Sequence, residues 1–326
     1  MGLTTRSACF ALCGVWLLIS SADSILAPNL TLSEMAEMFQ QFMKRFDKKY
    51  QDQKEMDYRF KVFVQSLERS RELQASETGT AQYGVTRFSD LTESEFAEKF
   101  CMAPRSLPRL PPTLGWLEKP PRMNVNQSCD WRKAGAVTEV KHQGESCRAC
   151  WAFAAVSNIE ALWNIHRHSP RNLSVQEMVD CTNDMGGCKG GYPWEGFQLV
   201  FNQNGLVNSV MYPYEGKVHR CRKHRGRKLT QIDGYEVLPR DEEYIAGIVA
   251  SKGPVTALID SRVLRDYQSG TIRRPPLNCE RLLDHVVLIV GFDEGECPFS
   301  KGSGSFQGEL LRLPETTGPQ VHGRGF

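Results

Sequence analysis

The stretch Gln-Gly-Glu-Ser-Cys-Arg-Ala-Cys-Trp-Ala-Phe-Ala-Ala-Val, residues 143–156, decides the fold of this chain. Its apolar run continues to Trp163, and polar residues interrupt it at only three positions. A run that is apolar on every face of a helix is typical of a helix buried in the middle of a domain. Cys150 stands at the predicted start of this helix, where the helix dipole and unpaired N–H groups favour the thiolate. The sequence therefore predicts a nucleophilic thiol whose pKa lies below the usual value of about 8.5.

The segment from Cys147 to Trp151, with Gln143 upstream, resembles the nucleophile segment of the papain family of cysteine proteases, usually C-G-S-C-W. The resemblance implies that Cys150 is the nucleophile and that the Gln143 amide helps to stabilise an oxyanion. Seven positions separate Gln143 from Cys150, one more than is usual, and Arg148 stands where the family usually has glycine. A Cys-x-x-Cys pair alone is also typical of redox and zinc sites, so zinc binding by Cys147 and Cys150 is a distant alternative.

A second match lies at residues 188–194, Cys-Lys-Gly-Gly-Tyr-Pro-Trp. A bare Gly-Gly pair is more often only a turn. Because the whole string matches, the resemblance implies that Gly190 and Gly191 let the backbone approach and pair with an extended substrate. It also implies two disulfides, Cys147–Cys188 and Cys181–Cys221.

The third match is residues 284–292, Asp-His-Val-Val-Leu-Ile-Val-Gly-Phe. His285 lies 135 positions after Cys150, within the separation expected for the family's histidine. A lone histidine ahead of an apolar strand is more often structural, but the resemblance implies a general base and acid that forms an ion pair with Cys150. No asparagine follows His285 in the sequence. The residue that orients the imidazole in the family is therefore absent from its expected place.

Residues 1–22 predict a secretory signal peptide. Arg6 precedes an apolar run at residues 8–19, and small residues follow. The run is too short to span a membrane. We therefore expect a protein of the secretory pathway, in the lysosome, an endosome or the endoplasmic reticulum, with secretion as a further alternative. Three glycosylation sequons fit this compartment, at Asn29, Asn126 and Asn172.

Residues 23–124 resemble an inhibitory propeptide of the I29 type followed by a proline-rich linker. Apolar residues at helical spacing between residues 33 and 73 predict two amphipathic helices. One helix carries the propeptide spacing of the family branch that contains cathepsins F and W, at Glu55, Arg59, Phe63, Ser66, Ser70 and Gln74. Ser66 and Ser70 depart from the usual asparagine and alanine. The segment 83–90 resembles the propeptide strand motif, and the resemblance implies that the chain then crosses the cleft in the non-productive direction.

Together these matches imply an α+β, papain-like two-domain fold over residues 125–292, with a helical domain and an incomplete β-barrel-like domain. Residues 293–326 form a divergent, low-complexity tail. Alternation predicts strands at residues 136–140, 255–259 and 267–272. We expect the apolar run at 286–290 to be partly unpaired, with an uncovered core face. The pairing of three further cysteines stays open: Cys129, Cys279 and Cys297.

The composition excludes a strongly basic, nucleic-acid-binding chain, with 24% charged residues and a formal net charge of +2. We expect no cofactor and no metal. The implied partners are protein or peptide substrates, the chain's own propeptide and cystatin-like inhibitors. Two functions remain open. One is a cathepsin W-like or cathepsin F-like endopeptidase made as a zymogen. The other is a catalytically impaired relative that acts as a binding or inhibitory protein.

Overall fold

The computed structural model describes residues 30–102, 129–182, 186–222, 228–239, 241–273 and 283–292. The predicted signal peptide, the sequons at Asn29 and Asn126, the linker, Cys279, Cys297 and the tail lie outside these residues. Within them, no helix combines the length and the apolar character needed to cross a membrane.

Helices and short strands alternate along the chain. The helices are α1 (Leu32–Arg45), α2 (Gln53–Ala75), α3 (Glu93–Phe100), α4 (Cys150–Arg167), α5 (Val175–Cys181), α6 (Pro193–Asn202) and α7 (Glu242–Ser251). The strands are β1 (Gln82–Tyr83), β2 (Cys129–Asp130), β3 (Val255–Ile259), β4 (Tyr267–Ser269), β5 (His285–Ile289) and β6 (Gly291–Phe292).

The two amphipathic helices predicted in the propeptide are confirmed as α1 and α2. Helix α1 begins with a capping box in which Thr31 and Glu34 satisfy each other's main-chain N–H groups. Asp52 caps α2 by accepting from the Glu55 N–H. The two helices pack through a buried aromatic cluster that includes Phe39, Phe42 and Phe63. This hairpin has a hydrophobic core of its own.

Helix α4 is the central element of the peptidase part, and it packs against α5, α6, β3 and β5. Two of its buried polar residues, Asn158 and Glu160, make hydrogen bonds to main-chain groups outside the helix, which offsets part of the cost of burying them. The Asn158 side-chain amide donates to the Pro254 carbonyl at 3.0 Å. The Glu160 carboxylate accepts from the Leu173 N–H at 2.7 Å. The helix is thereby anchored to the chain on two sides.

The described strands form three two-stranded antiparallel ladders: β3 with β5, β2 with β6, and β1 with β4. In the first ladder Ile259 pairs with His285, which places His285 at the end of the ladder beside α4. The third ladder joins the propeptide to the peptidase part, since β1 precedes and β4 follows the linker. Helices and sheets together confirm the α+β class.

Two local predictions are wrong. Residues 136–140 form no strand: Thr138 donates instead to the Glu160 carboxylate at 2.8 Å, and no neighbouring strand lies beside it among the described residues. The core face of β5 is not uncovered, because all five of its residues are buried. Among the described residues, the main chain of β5 pairs on one side only, with β3. The segment 83–90 begins with the end of β1 and then turns.

Candidate active site

Cys150 and His285, predicted as nucleophile and base, lie beside each other because α4 packs against β5. Cys150 is the first residue of α4, and His285 is the first residue of β5. The main-chain N–H of Val286, next to His285, makes a hydrogen bond to the Cys150 thiol. Both side chains are buried. The fold therefore brings together two groups that are far apart in sequence.

Gln143 lies at the same place and is also buried. Its side-chain Nε2 donates to the main-chain carbonyl of Phe100 at 3.3 Å. Its own main-chain carbonyl accepts from the Tyr214 hydroxyl at 2.8 Å, which fixes the backbone at this position. The Gln143 Oε1 atom has no hydrogen-bond partner within the part of the chain that the structure describes.

The loop between Gln143 and Cys150 accommodates its additional residue in a turn held at both ends. Gly144 has a left-handed backbone, with φ of +77°, and its N–H donates to His142 Nδ1 at 2.8 Å. The Ser146 hydroxyl donates to the Gly216 carbonyl at 3.0 Å. Between these anchors, Glu145 reaches the Lys99 ammonium of the propeptide at 3.3 Å. The loop thus carries a carboxylate that contacts the propeptide.

Two disulfides hold the loops around the site, Cys147–Cys188 and Cys181–Cys221. The Arg148 N–H donates to the Cys188 carbonyl at 3.1 Å, so a main-chain hydrogen bond joins the same two segments as the first disulfide. The zinc alternative is wrong, because Cys147 is consumed by a disulfide. The described residues also contain no cluster of three or more potential metal ligands.

The two glycines proposed to bind substrate differ in their surroundings. Gly190 has φ of +100°, and a Cβ built on it would lie 3.0 Å from the main chain of Met102. Gly191 instead faces the Trp151 ring, where a Cβ would lie 2.9 Å from ring atoms. Gly190 therefore permits close approach of an extended chain, whereas Gly191 permits close packing on α4.

The propeptide fills the cleft with the three residues that end α3 and follow it. The Phe100 carbonyl accepts from Gln143, as described above. The Cys101 sulfur lies 2.9 Å from the Ser261 hydroxyl oxygen, and the Met102 N–H donates to the Asp284 carbonyl at 2.7 Å. In turn, the Asp284 carboxylate accepts from the Ser261 N–H at 2.9 Å. The cleft is closed chiefly by main-chain contacts.

Burial under the propeptide keeps the thiol and the imidazole neutral. It raises the pKa of the Cys150 thiol to about 12, although main-chain N–H groups favour the thiolate. It lowers the pKa of the His285 imidazole to about 4, and a hydrogen bond to the Phe100 carbonyl acts in the opposite direction. The predicted low thiol pKa and ion pair are therefore wrong for this closed state, because desolvation outweighs the helix N-terminus. Among the described residues, His285 Nδ1 has no hydrogen-bond partner.

Sequence reasoning did not identify Phe100, Cys101, Met102 or Ser261 as site residues. Phe100 and Met102 contact the site through main-chain groups, which leave no signature in the sequence. The side-chain contact between Cys101 and Ser261 joins residues 160 positions apart, so no local motif reveals it. Asp284 did belong to a recognised string, but the string did not indicate that its carbonyl accepts from the Met102 N–H of the propeptide.

Comparisons with known proteins agree with this geometry. Sequence models match at residues 125–303 for the papain family cysteine protease and at residues 39–96 for the cathepsin propeptide inhibitor domain (I29). Cathepsin W of Mus musculus is 38% identical over 79% of this chain and 71% of its own length. Cathepsin W of Felis catus is 37% identical over 83% of this chain and 74% of its own length. The structure of digestive procathepsin L2 proteinase from Tenebrio molitor larval midgut aligns with a TM-score of 0.68, at 28% identity, over 80% of this chain and 86% of that one.

Proposed function

The chain belongs to the papain family of cysteine proteases and is a cysteine-type peptidase, and on that premise we propose that it hydrolyses internal peptide bonds through Cys150. The observation that carries the proposal is the position of one carbonyl. The Phe100 carbonyl lies beside both the Gln143 amide and the His285 imidazole. A scissile carbonyl at this place would face a nucleophile, a proton carrier and hydrogen-bond donors at once.

The proposed reaction begins when His285 accepts the proton of the Cys150 thiol. The thiolate attacks the scissile carbonyl carbon, and the Gln143 amide and the Cys150 N–H donate to the oxyanion. His285 then gives its proton to the leaving amine as the carbon–nitrogen bond breaks. Water, deprotonated by His285, hydrolyses the thioester and restores the thiol. Gly190 lies where an extended substrate can pair with the backbone.

The propeptide prevents this reaction by occupying the cleft. It places its own main chain against Gln143, Asp284 and Gly190, and it removes water from the thiol and the imidazole. Once it leaves, the pKa of Cys150 should fall and the pKa of His285 should rise, because the desolvation of both groups is relieved. We place the propeptide at residues 23–124, the peptidase domain at residues 125–292 and the activating cut in the proline-rich linker.

We propose that the chain enters the secretory pathway through residues 1–22 and acts in a lysosomal or endosomal compartment, in the endoplasmic reticulum or after secretion. Its glycosylation sites would be Asn29, Asn126 and Asn172. Asn172 is exposed, whereas the hydroxyl of its sequon partner Ser174 is buried against the Tyr212 carbonyl. Cystatin-like proteins are the inhibitors expected to enter the same cleft.

A second candidate function is binding without turnover. It is favoured by the His285 imidazole, whose Nδ1 lacks a partner among the described residues, and by the absence of asparagine after His285 in the sequence. Loss of an orienting residue in comparable triads lowers the rate by several orders of magnitude. A protein of this kind would bind peptides in the cleft and release them uncut.

Hydrolysis of a fluorogenic peptide by the acid-processed protein separates the two candidates. The endopeptidase proposal predicts turnover that is absent from the Cys150→Ala variant prepared in parallel. An epoxide-type cysteine protease probe provides the second measurement. Labelling at Cys150 without turnover would support the binding protein, and the absence of both in a folded, processed chain would contradict the endopeptidase.

A further inference from the structure

The loop that connects Gln143 to α4 carries one carboxylate. Glu145 lies two positions after Gln143, and its side chain is 50% exposed. Gly144 turns the chain on one side of it, and the Ser146 hydroxyl binds the Gly216 carbonyl on the other. The position of Glu145 is therefore set by the same loop that positions Gln143.

In the closed chain this carboxylate binds two cations of the propeptide. The Lys99 ammonium lies 3.3 Å from Glu145 Oε2, and the Arg87 guanidinium lies 4.0 Å from Oε1. Among the described residues, no cation of the peptidase part lies within ion-pair distance of Glu145, not even Arg148 of the same loop. Glu145 therefore loses both of these partners when the propeptide leaves.

Lys99 also shows where the carboxylate lies relative to the reacting atoms. It immediately precedes Phe100, whose carbonyl accepts from the Gln143 amide and from the His285 imidazole. A scissile carbonyl would occupy the same place in the proposed reaction. A lysine side chain next to the cleaved bond is therefore long enough to reach Glu145.

Glu145 and Gly190 contact the propeptide on either side of Phe100. Lys99 precedes Phe100, whereas Met102 follows it and lies 3.0 Å from a Cβ built on Gly190. The sequence implies that the propeptide runs against the direction of a substrate. A substrate in the productive direction therefore passes Gly190 before the cleaved bond and Glu145 after it, on the side of the leaving amine.

We propose that Glu145 is a specificity-determining residue that selects substrates with lysine or arginine in the first two positions after the cleaved bond. This inference rests on the proposed endopeptidase function and names a substrate class for it. A basic side chain there takes the place of Lys99 on Glu145, whereas an acidic side chain meets a like charge. Because the carboxylate is exposed to solvent, the preference is modest and decreases with salt.

Turnover of two sets of internally quenched peptides tests the proposal. Within each set, lysine, glutamine or glutamate stands at the first or at the second position after the cleaved bond. For the acid-processed protein at low salt, one set should show kcat/KM about fivefold higher for lysine than for glutamine, with glutamate lowest. Glu145→Gln should bring the three values within about twofold of one another, and Glu145→Lys should reverse their order. In about 1 M salt the differences should disappear.

Two controls make this test specific. A matched set that varies the second position before the cleaved bond should show no dependence on residue 145. Glu139→Gln, which removes another exposed carboxylate, should leave the lysine preference unchanged. Equal kcat/KM for lysine and glutamine in both sets, or a lysine preference that persists in Glu145→Gln, would overturn the proposal.

Peptide binding separates this proposal from the proposed function. If the processed protein cleaves none of the peptides, the endopeptidase function is contradicted, but the preference of Glu145 is still measurable. Fluorescence anisotropy with the processed Cys150→Ala variant should show about fivefold tighter binding of the lysine peptide than of the glutamine peptide. Adding Glu145→Gln should remove this difference. Equal Kd values in the presence of Glu145, or no detectable binding, would overturn the Glu145 proposal.

Discussion

The propeptide touches the peptidase part in two regions that use different chemistry. In the cleft, the contacts run through the Phe100 carbonyl and the Met102 N–H. At the β4 edge, they run through the Arg69 guanidinium and the Asp266 carboxylate. Main-chain groups are the same in every residue, whereas a buried ion pair requires particular side chains. The cleft is therefore closed by contacts that many sequences could make, and the propeptide is selected by contacts that few sequences could make.

This difference separates blocking from recognition. Main-chain groups can hold a segment in the substrate cleft whatever its side chains are. The ion pair of Arg69 with Asp266 lies outside the catalytic groups, so a substitution in this pair leaves those groups unchanged. Variants in the cleft should accordingly affect turnover, and variants at the β4 edge should affect retention of the propeptide.

The largest expected effect is on turnover. Gln143→Ala should lower kcat of the processed protein by about 100- to 1000-fold, because one oxyanion donor is worth about 3 to 4 kcal/mol in the transition state. Exchange over residues 78–86 of the intact chain should hardly change, since the β4 edge is untouched. Steady-state kinetics and hydrogen exchange on the same preparations check both statements. A loss of less than tenfold would remove Gln143 from the proposed oxyanion site.

Gly270→Ala should release the propeptide at the β4 edge. Gly270 has φ of +86°, and a Cβ there would lie 2.0 Å from the Thr80 carbonyl oxygen. Strain and collision together should weaken propeptide docking by about 3 kcal/mol. Gly135→Ala is the matched control, because Gly135 has φ of +67° but nothing within 4 Å of the added carbon. Exchange over residues 78–86 that is no faster in Gly270→Ala than in Gly135→Ala would contradict the expected collision with Thr80.

Acid should open the cleft through His285. The imidazole has a pKa of about 4 in the closed state, below its ordinary value of 6.5. Its contribution to closure is therefore complete above pH 6.5 and is lost as the pH falls through about 4, by a few kcal/mol in all. A thiol reagent that reacts in acid, such as dipyridyl disulfide, should label Cys150 of the intact chain faster over this range. In His285→Gln the pH dependence should be flatter, and an unchanged profile would exclude His285 as the titrating group.

Glu145→Gln should have the smallest effect. Its ion pairs with Lys99 at 3.3 Å and Arg87 at 4.0 Å are exposed to solvent. Such pairs contribute at most about 1 kcal/mol and are screened by salt. Labelling of Cys150 should therefore rise less than fivefold, and the difference should disappear in about 1 M salt. Glu139→Gln, at an exposed position, should change nothing.

Sequence reasoning placed the central helix and, through the family resemblance, both disulfide pairings. It also singled out Gln143, Cys150 and His285, because each lies in a recognisable local string. It did not find the pair of Arg69 with Asp266, whose members are separated by 197 positions. No periodicity or motif relates residues so far apart. In the sequence, Ser66 and Ser70 are only departures from a pattern. Their contacts with Asp266 and with the Gly84 carbonyl appear only in the structure.

The thiol shows a second limit. A helix N-terminus predicts a low pKa for Cys150, but the pKa in the closed chain depends on whether another segment covers it. Residues 100–102 cover the Cys150 thiol only in the folded chain, and nothing in the sequence near Cys150 indicates this. Similarly, alternation at residues 136–140 could not reveal that no neighbouring strand would lie beside them.

The most direct test of the account compares the intact and acid-processed chains with an epoxide-type active-site probe, counting labelled Cys150 per molecule. We predict almost no labelling of the intact chain, in which the thiol is buried and neutral, and about one label per processed molecule. Cys150→Ala should remain unlabelled in both forms. Equal labelling of the intact and processed chains would contradict closure of the cleft by residues 100–102, and a folded, processed chain that stays unlabelled would contradict a reactive thiol–imidazole pair.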